Sequence, residues 1–338
     1  MSIGILAAAG SRQARRLYDR LEALAPGAAV RFDLGLEPED RVILDGDAIT
    51  WNGHRLDRFE AVHVHGFTYQ DPVLPPADPI CDWSLWQTGA VLQQQKYSFL
   101  FSLLSRLEAG RCRLYNPVSC HLDSFARFSL LDRLGQAGHR IPALLCTNDE
   151  AATTAFRDDH DSLVWRPLTG GAAWQVFQER QRRHLIDRDR PPILIAEAIP
   201  GPLIRVYALD GKPVCALGCH APNREGLEQL ETFLPVSPDD VPGFETIAPA
   251  LAGLGCRWAM ASCVVTPAGP VFYDVEPDAV LTDLPDRLAG HLIDALAASL
   301  LGRALPAPPQ FEPAPRDALL LRRMLAIQFD MEASKYAP

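Results

Sequence analysis

Lysine is nearly missing from this chain. Of 32 basic residues only Lys96, Lys212 and Lys335 are lysines, so a cation at any site is expected to be arginine. No apolar run among the 338 residues approaches the roughly 20 that a membrane helix needs, so no membrane-spanning helix is expected. The opening Met1-Ser2-Ile3-Gly4-Ile5-Leu6-Ala7 lacks a basic stretch ahead of its apolar residues and reads as a first strand rather than a signal peptide; a cytoplasmic protein is expected. The eight cysteines, at 81, 112, 120, 146, 215, 219, 256 and 263, include no Cys-x-x-Cys pair, and buried free thiols are expected. Also missing are a Gly-x-Ser-x-Gly elbow, a Walker loop and a Gly-x-Gly-x-x-Gly turn. With 42 acidic residues the formal charge is −10, against the basic field that nucleic-acid binding requires.

What is present is enough apolar residue, 48%, to bury a sizeable core, and a length that calls for more than one compact unit. Strands are expected over Ser2–Ala8, Ala29–Leu34 and Phe59–Val64, with a helix over Arg12–Leu24 and a hairpin around Asp45-Gly46-Asp47: an α/β pattern with a mostly parallel sheet. Trp83–Leu107 reads as helix. Asp123 is placed to cap a helix over Ser124–Ala137, ended by Gly138. Strands at Ala143–Thr147 and Leu163–Arg166 flank a helix near Glu150–Phe156, and the charged Gln178–Arg190 reads as a solvated loop. Hairpins are expected at Asp210-Gly211 and between Trp258–Val265 and Val271–Glu276, then a helix over Leu288–Leu301. A proline-rich linker after Pro306 leads to a last amphipathic helix, Arg316–Phe329, whose apolar stripe suits homo-oligomer contact.

The strongest chemical signal is Val271-Phe272-Tyr273-Asp274-Val275-Glu276-Pro277. On a regular strand Asp274, Glu276 and Phe272 share one face, while Tyr273 and Val275 take the other. Paired carboxylates on an apolar strand repel each other, and a hard cation such as Mg²⁺ relieves the repulsion. If the hairpin is symmetric about Ala268, Ser262 lies opposite Asp274. The alternative is an edge strand with both acids in solvent. Arg205, within Leu203-Ile204-Arg205-Val206-Tyr207, can fork onto a phosphate or form a structural ion pair with Asp274 or Glu276. Arg166-Pro167-Leu168-Thr169-Gly170-Gly171 runs from a strand into a turn able to offer amides to phosphate. His63 and His65 alternate at a strand end and suit an edge strand or the lining of a pocket better than a metal, for which no further ligands can be placed.

These stretches, in this order, resemble the ATP-grasp superfamily of ATP-dependent carboxylate ligases, to which glutathione synthetase-like enzymes and ribosomal-protein glutamate ligases belong. The matching stretches are Arg127 through Gly138-His139-Arg140-Ile141-Pro142, Arg166 through Gly171, Ala196-Glu197-Ala198-Ile199, Ile204-Arg205-Val206 and Asp274-Val275-Glu276-Pro277. Tyr115-Asn116-Pro117 and Ile141–Asp149 are most similar to the peptide-modifying graspetide maturases and related glutamate-type ligases. The resemblance covers about residues 113–304. It implies an α+β ATP-grasp fold with an N-terminal α/β domain (1–115), two ATP-clamping subdomains (116–192 and 193–304) and a linker and helix (305–338).

By resemblance ATP lies between two sheets, with adenine near Glu197 and Ala198, phosphates on Arg127, Arg166, Arg205 and the Thr169-Gly170-Gly171 turn, and Mg²⁺ on Asp274 and Glu276. His63 and His65 line the acceptor site. The implied reaction phosphorylates a substrate carboxylate, and an amine or hydroxyl attacks the acylphosphate, with a peptide or an amino acid as candidate acceptor. This sequence departs from the family in three places. Both phosphate lysines are arginines, the Glu–Asn metal pair is Asp274 and Glu276, and a third acidic ligand is replaced by Ser262. A nucleotide-binding regulatory protein without ligation is the rival reading. On this sequence-based view Asp274→Asn abolishes turnover and leaves the melting temperature largely unchanged.

Overall fold

Ile3-Gly4-Ile5-Leu6-Ala7 forms strand β1 (Ile3–Ala7), buried along its whole length, as a strand covered on both faces must be. The computed structural model describes residues 2–46, 48–67, 83–168, 174–178, 190–220, 232–281 and 284–307. The chain divides into two units, Met1–His121 with Val280–Pro306, and one built on Leu122–Ala279. The Thr169-Gly170-Gly171 turn, most of Gln178–Arg190 and the C-terminal helix expected at Arg316–Phe329 lie outside the described residues.

In the first unit, α1 (Arg12–Leu24) begins where the Ser11 hydroxyl accepts a hydrogen bond from the Ala14 amide at 3.1 Å. Strands β2 (Ala29–Asp33), β6 (Ala61–His65) and β7 (Arg113–Tyr115) join β1 in a parallel sheet of order β2-β1-β6-β7, in agreement with the α/β pattern. Between β2 and β6, strands β3 (Val42–Leu44), β4 (Ile49–Trp51) and β5 (His54–Arg55) form a small antiparallel sheet. The long α2 (Trp83–Ala109) packs Leu100, Leu103 and Leu104 against Leu6, Phe32, Val62 and Val64 on one face of the parallel sheet.

The helix expected over Ser124–Ala137 is divided differently. Pro117 starts a short helix, α3 (Val118–Asp123), and the main helix α4 (Arg127–Gln136) begins only at Arg127. Asp123 therefore ends a helix instead of capping one, and its carboxylate accepts from Arg133 at 2.6 Å. Proline fits the first turn of a helix, where its missing N–H has no partner to lose. Gly138, at φ 87°, stops α4 as expected, with the His139 amide donating back to the Leu134 carbonyl at 3.0 Å.

An antiparallel sheet of order β10-β9-β11-β8 follows. It is built from β8 (Leu144–Thr147), β9 (Leu163–Pro167), β10 (Gln175–Val176) and β11 (Ile193–Glu197), with α5 (Glu150–Asp158) between β8 and β9. The second sheet, of order β14-β13-β12-β15-β16, contains β12 (Leu203–Leu209), β13 (Lys212–His220), β14 (Thr232–Pro235), β15 (Trp258–Thr266) and β16 (Gly269–Glu276). The short α6 (Ile247–Gly253) connects β14 to β15. At Gly201 any side chain would collide with this sheet, because a Cβ there would lie 2.4 Å from the Val265 carbonyl oxygen. That close approach lets the Val265 amide donate to Pro202 and starts the β12–β15 ladder.

The chain then returns to the first unit as α7 (Asp286–Leu300), beside α1. Cysteines 112, 120, 215, 256 and 263 are buried free thiols, but Cys146 is exposed, a correction with a simple cause: β8 is an edge strand and this residue faces outward. Among the described residues no helix is long and apolar enough to cross a membrane.

Candidate active site

Register puts Leu203, Val264 and Val271 on one rung across β12, β15 and β16, then Arg205, Ser262 and Asp274, then Tyr207, Met260 and Glu276. Directly opposed residues share a face, so Arg205, Asp274 and Glu276 stand on the same side of this sheet. Ser262 lies opposite Asp274 as the hairpin symmetry implies. Two strand spacings separate Arg205 from Asp274, about 10 Å between backbones, a gap long side chains can close.

Phe272 does not join that face. The pairing jumps from Ser262–Asp274 to Cys263–Phe272, leaving Tyr273 as an extra, bulged residue. A bulge resets the alternation of a strand. Phe272 therefore turns to the opposite side, where its ring meets His139 edge-on at 5.6 Å. Tyr273 does not take the far face with Val275. It packs with Val164, Trp174, Leu203, Val264 and Val271 in an apolar cluster that joins the two sheets. Its buried hydroxyl donates to the Glu197 carbonyl at 2.6 Å and accepts from the Ile199 amide at 2.8 Å. Burial pushes the phenol's pKa far up.

Asp274 is the hub, and the two arginines expected at phosphates close on it. Its Oδ1 accepts from Arg127 Nη1 at 2.5 Å and from the Val275 amide at 2.9 Å. Its Oδ2 accepts from Arg166 Nη1 at 2.7 Å. Arg127 reaches this point because α4 begins with it, and its Nε donates to the Ser124 carbonyl. Arg166 arrives from β9 at only 1% exposure, with its guanidinium carbon 5.5 Å from the centre of the Trp174 ring. Trp174 in turn donates to the Tyr273 carbonyl at 3.2 Å. Glu276 lies 3.6 Å from Arg127.

The electrostatics separate the two acids. Burial alone raises the Asp274 pKa, but the Arg127 and Arg166 charges and its hydrogen bonds outweigh that and hold the carboxyl below its ordinary range. Glu276 goes the other way, raised by burial and by the neighbouring Asp274 charge. A carboxylate that is costly to ionise in its place is one that a cation would stabilise. The solvated-edge alternative does not describe Asp274, which is buried and charge-paired.

The donor set fits Mg²⁺. Each carboxylate oxygen can accept twice. Among the described residues Oδ1 of Asp274 is filled by Arg127 and Val275, Oδ2 keeps one place beside Arg166, and Glu276 is held by a long ion pair. One oxygen from each acid, completed by phosphate and water, is the usual protein share of a magnesium site.

Of the residues expected around adenine, Glu197 ends β11 and Ala198 follows it, and their amides donate to the Ala143 and Ser162 carbonyls. His63 and His65 belong to the first unit. Their rings stack at 6.0 Å on β6, and the buried His63 places Nδ1 3.1 Å from the Tyr115 carbonyl. Tyr273 and Trp174 are site residues that sequence reasoning missed. The aromatic run ahead of Asp274 carried the only signal, and the bulge that uses it has none.

No protein-family model matches the sequence, and no curated protein matches it. Solved structures do. PsnB, an ATP-grasp ligase complexed with minimal precursor, Mg and ADP, is similar over 88% of this chain and 98% of its own, at 20% identity and a TM-score of 0.70. The macrocyclase MdnC from Microcystis aeruginosa, bound with precursor peptide MdnA, covers 89% of this chain and 100% of its own, at 16% identity and a TM-score of 0.68. The RiPP-associated ATP-grasp ligase of Chryseobacterium gregarium, in complex with ADP and a leader and core peptide, covers 92% and 100%, at 12% identity and a TM-score of 0.67. The fold of this chain is therefore that of the ATP-grasp ligases. Several of these structural neighbours were solved with precursor, leader or core peptides bound.

Proposed function

We infer that the protein is an ATP-dependent ligase that activates a carboxylate as an acylphosphate and joins it to an amine or hydroxyl of a peptide. The observation that carries this reading is the convergence of Arg127, Arg166, Asp274 and Glu276, with Arg205 on the same sheet face as the two acids. The peptide complexes of the structural neighbours support the substrate class.

In this reading ATP enters between the sheets with adenine near Glu197 and Ala198. Its phosphates draw Arg127 and Arg166 partly off Asp274, and Arg205 faces the transferring phosphoryl group. A magnesium ion on Asp274 and Glu276 would neutralise phosphate charge. The substrate carboxylate oxygen attacks the γ-phosphorus, ADP leaves, and the amine or hydroxyl then attacks the acyl carbon, loses its proton and expels inorganic phosphate. The chain's contribution is positioning and charge stabilisation. His63 and His65 are assigned to the acceptor side.

The closure of both arginines on Asp274 also favours a second reading, a regulatory protein that binds nucleotide without ligating. Magnesium-dependent ADP release, screened against peptides encoded beside the gene, separates the two. Release that rises only with a particular peptide, with loss of one water in the product mass, supports the ligase. Tight nucleotide binding with no release under any peptide supports the regulator.

A further inference from the structure

Helix α1 carries arginines one turn apart along one side, and two of them are matched by acids on α7. Arg16 donates to the Asp286 carboxylate at 3.1 Å and to its carbonyl at 3.2 Å, and Arg20 meets Asp294 at 2.7 Å. Arg12 continues the stripe one turn earlier, with Arg15 beside it, and the side chain of neither has an ion-pair or hydrogen-bond partner among the described residues. At that end the two helices, with Leu281 and Leu284 ahead of α7, flank a half-open cavity of about 390 Å³, with the exposed Arg12, Arg15 and Arg16 along its wall. Its floor is apolar: Leu281, Leu284 and Ile293, all buried. Pockets for small ligands and peptide side chains run from about 300 to 1,000 Å³.

A purely structural account fits this cavity poorly. The first turn of α1 has no acid, and cations at the positive end of a helix dipole destabilise it. Three arginines crowd there in a chain whose charge is −10. Among the described residues the acids at the cavity are Asp19 and Asp286, and Asp286 is already taken by Arg16. An anion from outside would balance Arg12 and Arg15, and the apolar floor selects one attached to an apolar body over a bare ion.

We propose that this cavity between α1 and α7 is a docking pocket for an acidic, leucine-bearing segment of a peptide. A carboxylate side chain sits on Arg12 and Arg15, and a neighbouring apolar side chain enters the floor. The choice of a peptide rests on the ligase reading above, so binding is measured without nucleotide and the two ideas fail separately.

The probe is a fluorescein-labelled decapeptide alternating Glu and Leu, followed by fluorescence anisotropy on the full-length protein, with the Gln-Leu peptide as control. The expected result is binding of the Glu-Leu peptide that is weakened at least tenfold in Arg12→Glu/Arg15→Glu and at least tenfold for the Gln-Leu peptide. Affinity for a fluorescent ATP analogue stays unchanged in the variant, and its melting temperature holds or rises, because Glu suits the first turn of a helix. Equal binding of the two peptides, equal binding by the variant, or inorganic phosphate binding in place of the peptide would overturn the proposal. A fall in melting temperature would do so too, since it would mean that the two arginines have structural partners.

Discussion

Asp274 holds two guanidinium groups in a buried site, and this changes what its removal should do. Taking away one partner of a buried ion pair leaves the other charges uncompensated, at a cost of about 3–5 kcal/mol. Asp274→Asn should therefore lower stability in urea titrations by roughly that amount, toward the low end because the amide oxygen still accepts a hydrogen bond. The buried pairing argues against the sequence-based expectation of a largely unchanged melting temperature. The carboxyl is held below its ordinary pKa near 4, so its stabilisation is in place above that pH and is lost as pH falls through the depressed value. The acid-side loss of stability should accordingly be shallower in Asp274→Asn than in the native chain. Arg166 is the companion test. Arg166→Lys keeps the charge but loses the fork and should weaken binding of a non-hydrolysable ATP analogue by about 1–3 kcal/mol, read by calorimetry. Unchanged affinity in Arg166→Ala would remove this residue from the nucleotide.

Strand β16 is where an element, rather than a residue, decides the site. Regular alternation would have put Phe272 beside Asp274. The bulge at Tyr273 instead sends Phe272 to the α4 side and lets the tyrosine reach the Glu197–Ile199 backbone. That hydroxyl engages a carbonyl and an amide in the stretch proposed to face adenine. Tyr273→Phe leaves both without this partner and should cost about 1–3 kcal/mol of stability. It should also free Glu197 and Ile199 to meet a base, so nucleotide affinity should hold or increase while the melting temperature falls. Affinity that falls in parallel with stability would mean that the hydroxyl only braces the fold. Alternation was readable from the residues, and the bulge was not: it depends on how β15 pairs with β16, which no local pattern encodes.

At the scale of the whole molecule, a ligand that binds only the folded chain stabilises it by mass action. At a free concentration of 100 times Kd the gain is about 2.7 kcal/mol. A non-hydrolysable ATP analogue should raise the melting temperature more with magnesium than with a chelator, and Glu276→Gln should shrink that difference. An equal rise with and without magnesium would remove the metal from the site. Much of this plan was legible in the chain itself. Buried apolar runs such as Ile3–Ala7, hairpin turns such as Asp210-Gly211, the Ser11 cap and the order of Arg127, Arg166, Arg205 and Asp274-Val275-Glu276 are local signals, carried by propensity and spacing. Tertiary structure alone decided that Arg127 and Arg166 close on one carboxylate, that Glu276 and Asp274 shift in opposite directions, and that Arg12 and Arg15 are left unmatched beside α7. Each of these is set by distances between residues far apart in sequence and by the burial that strengthens charge, and neither exists until the elements pack.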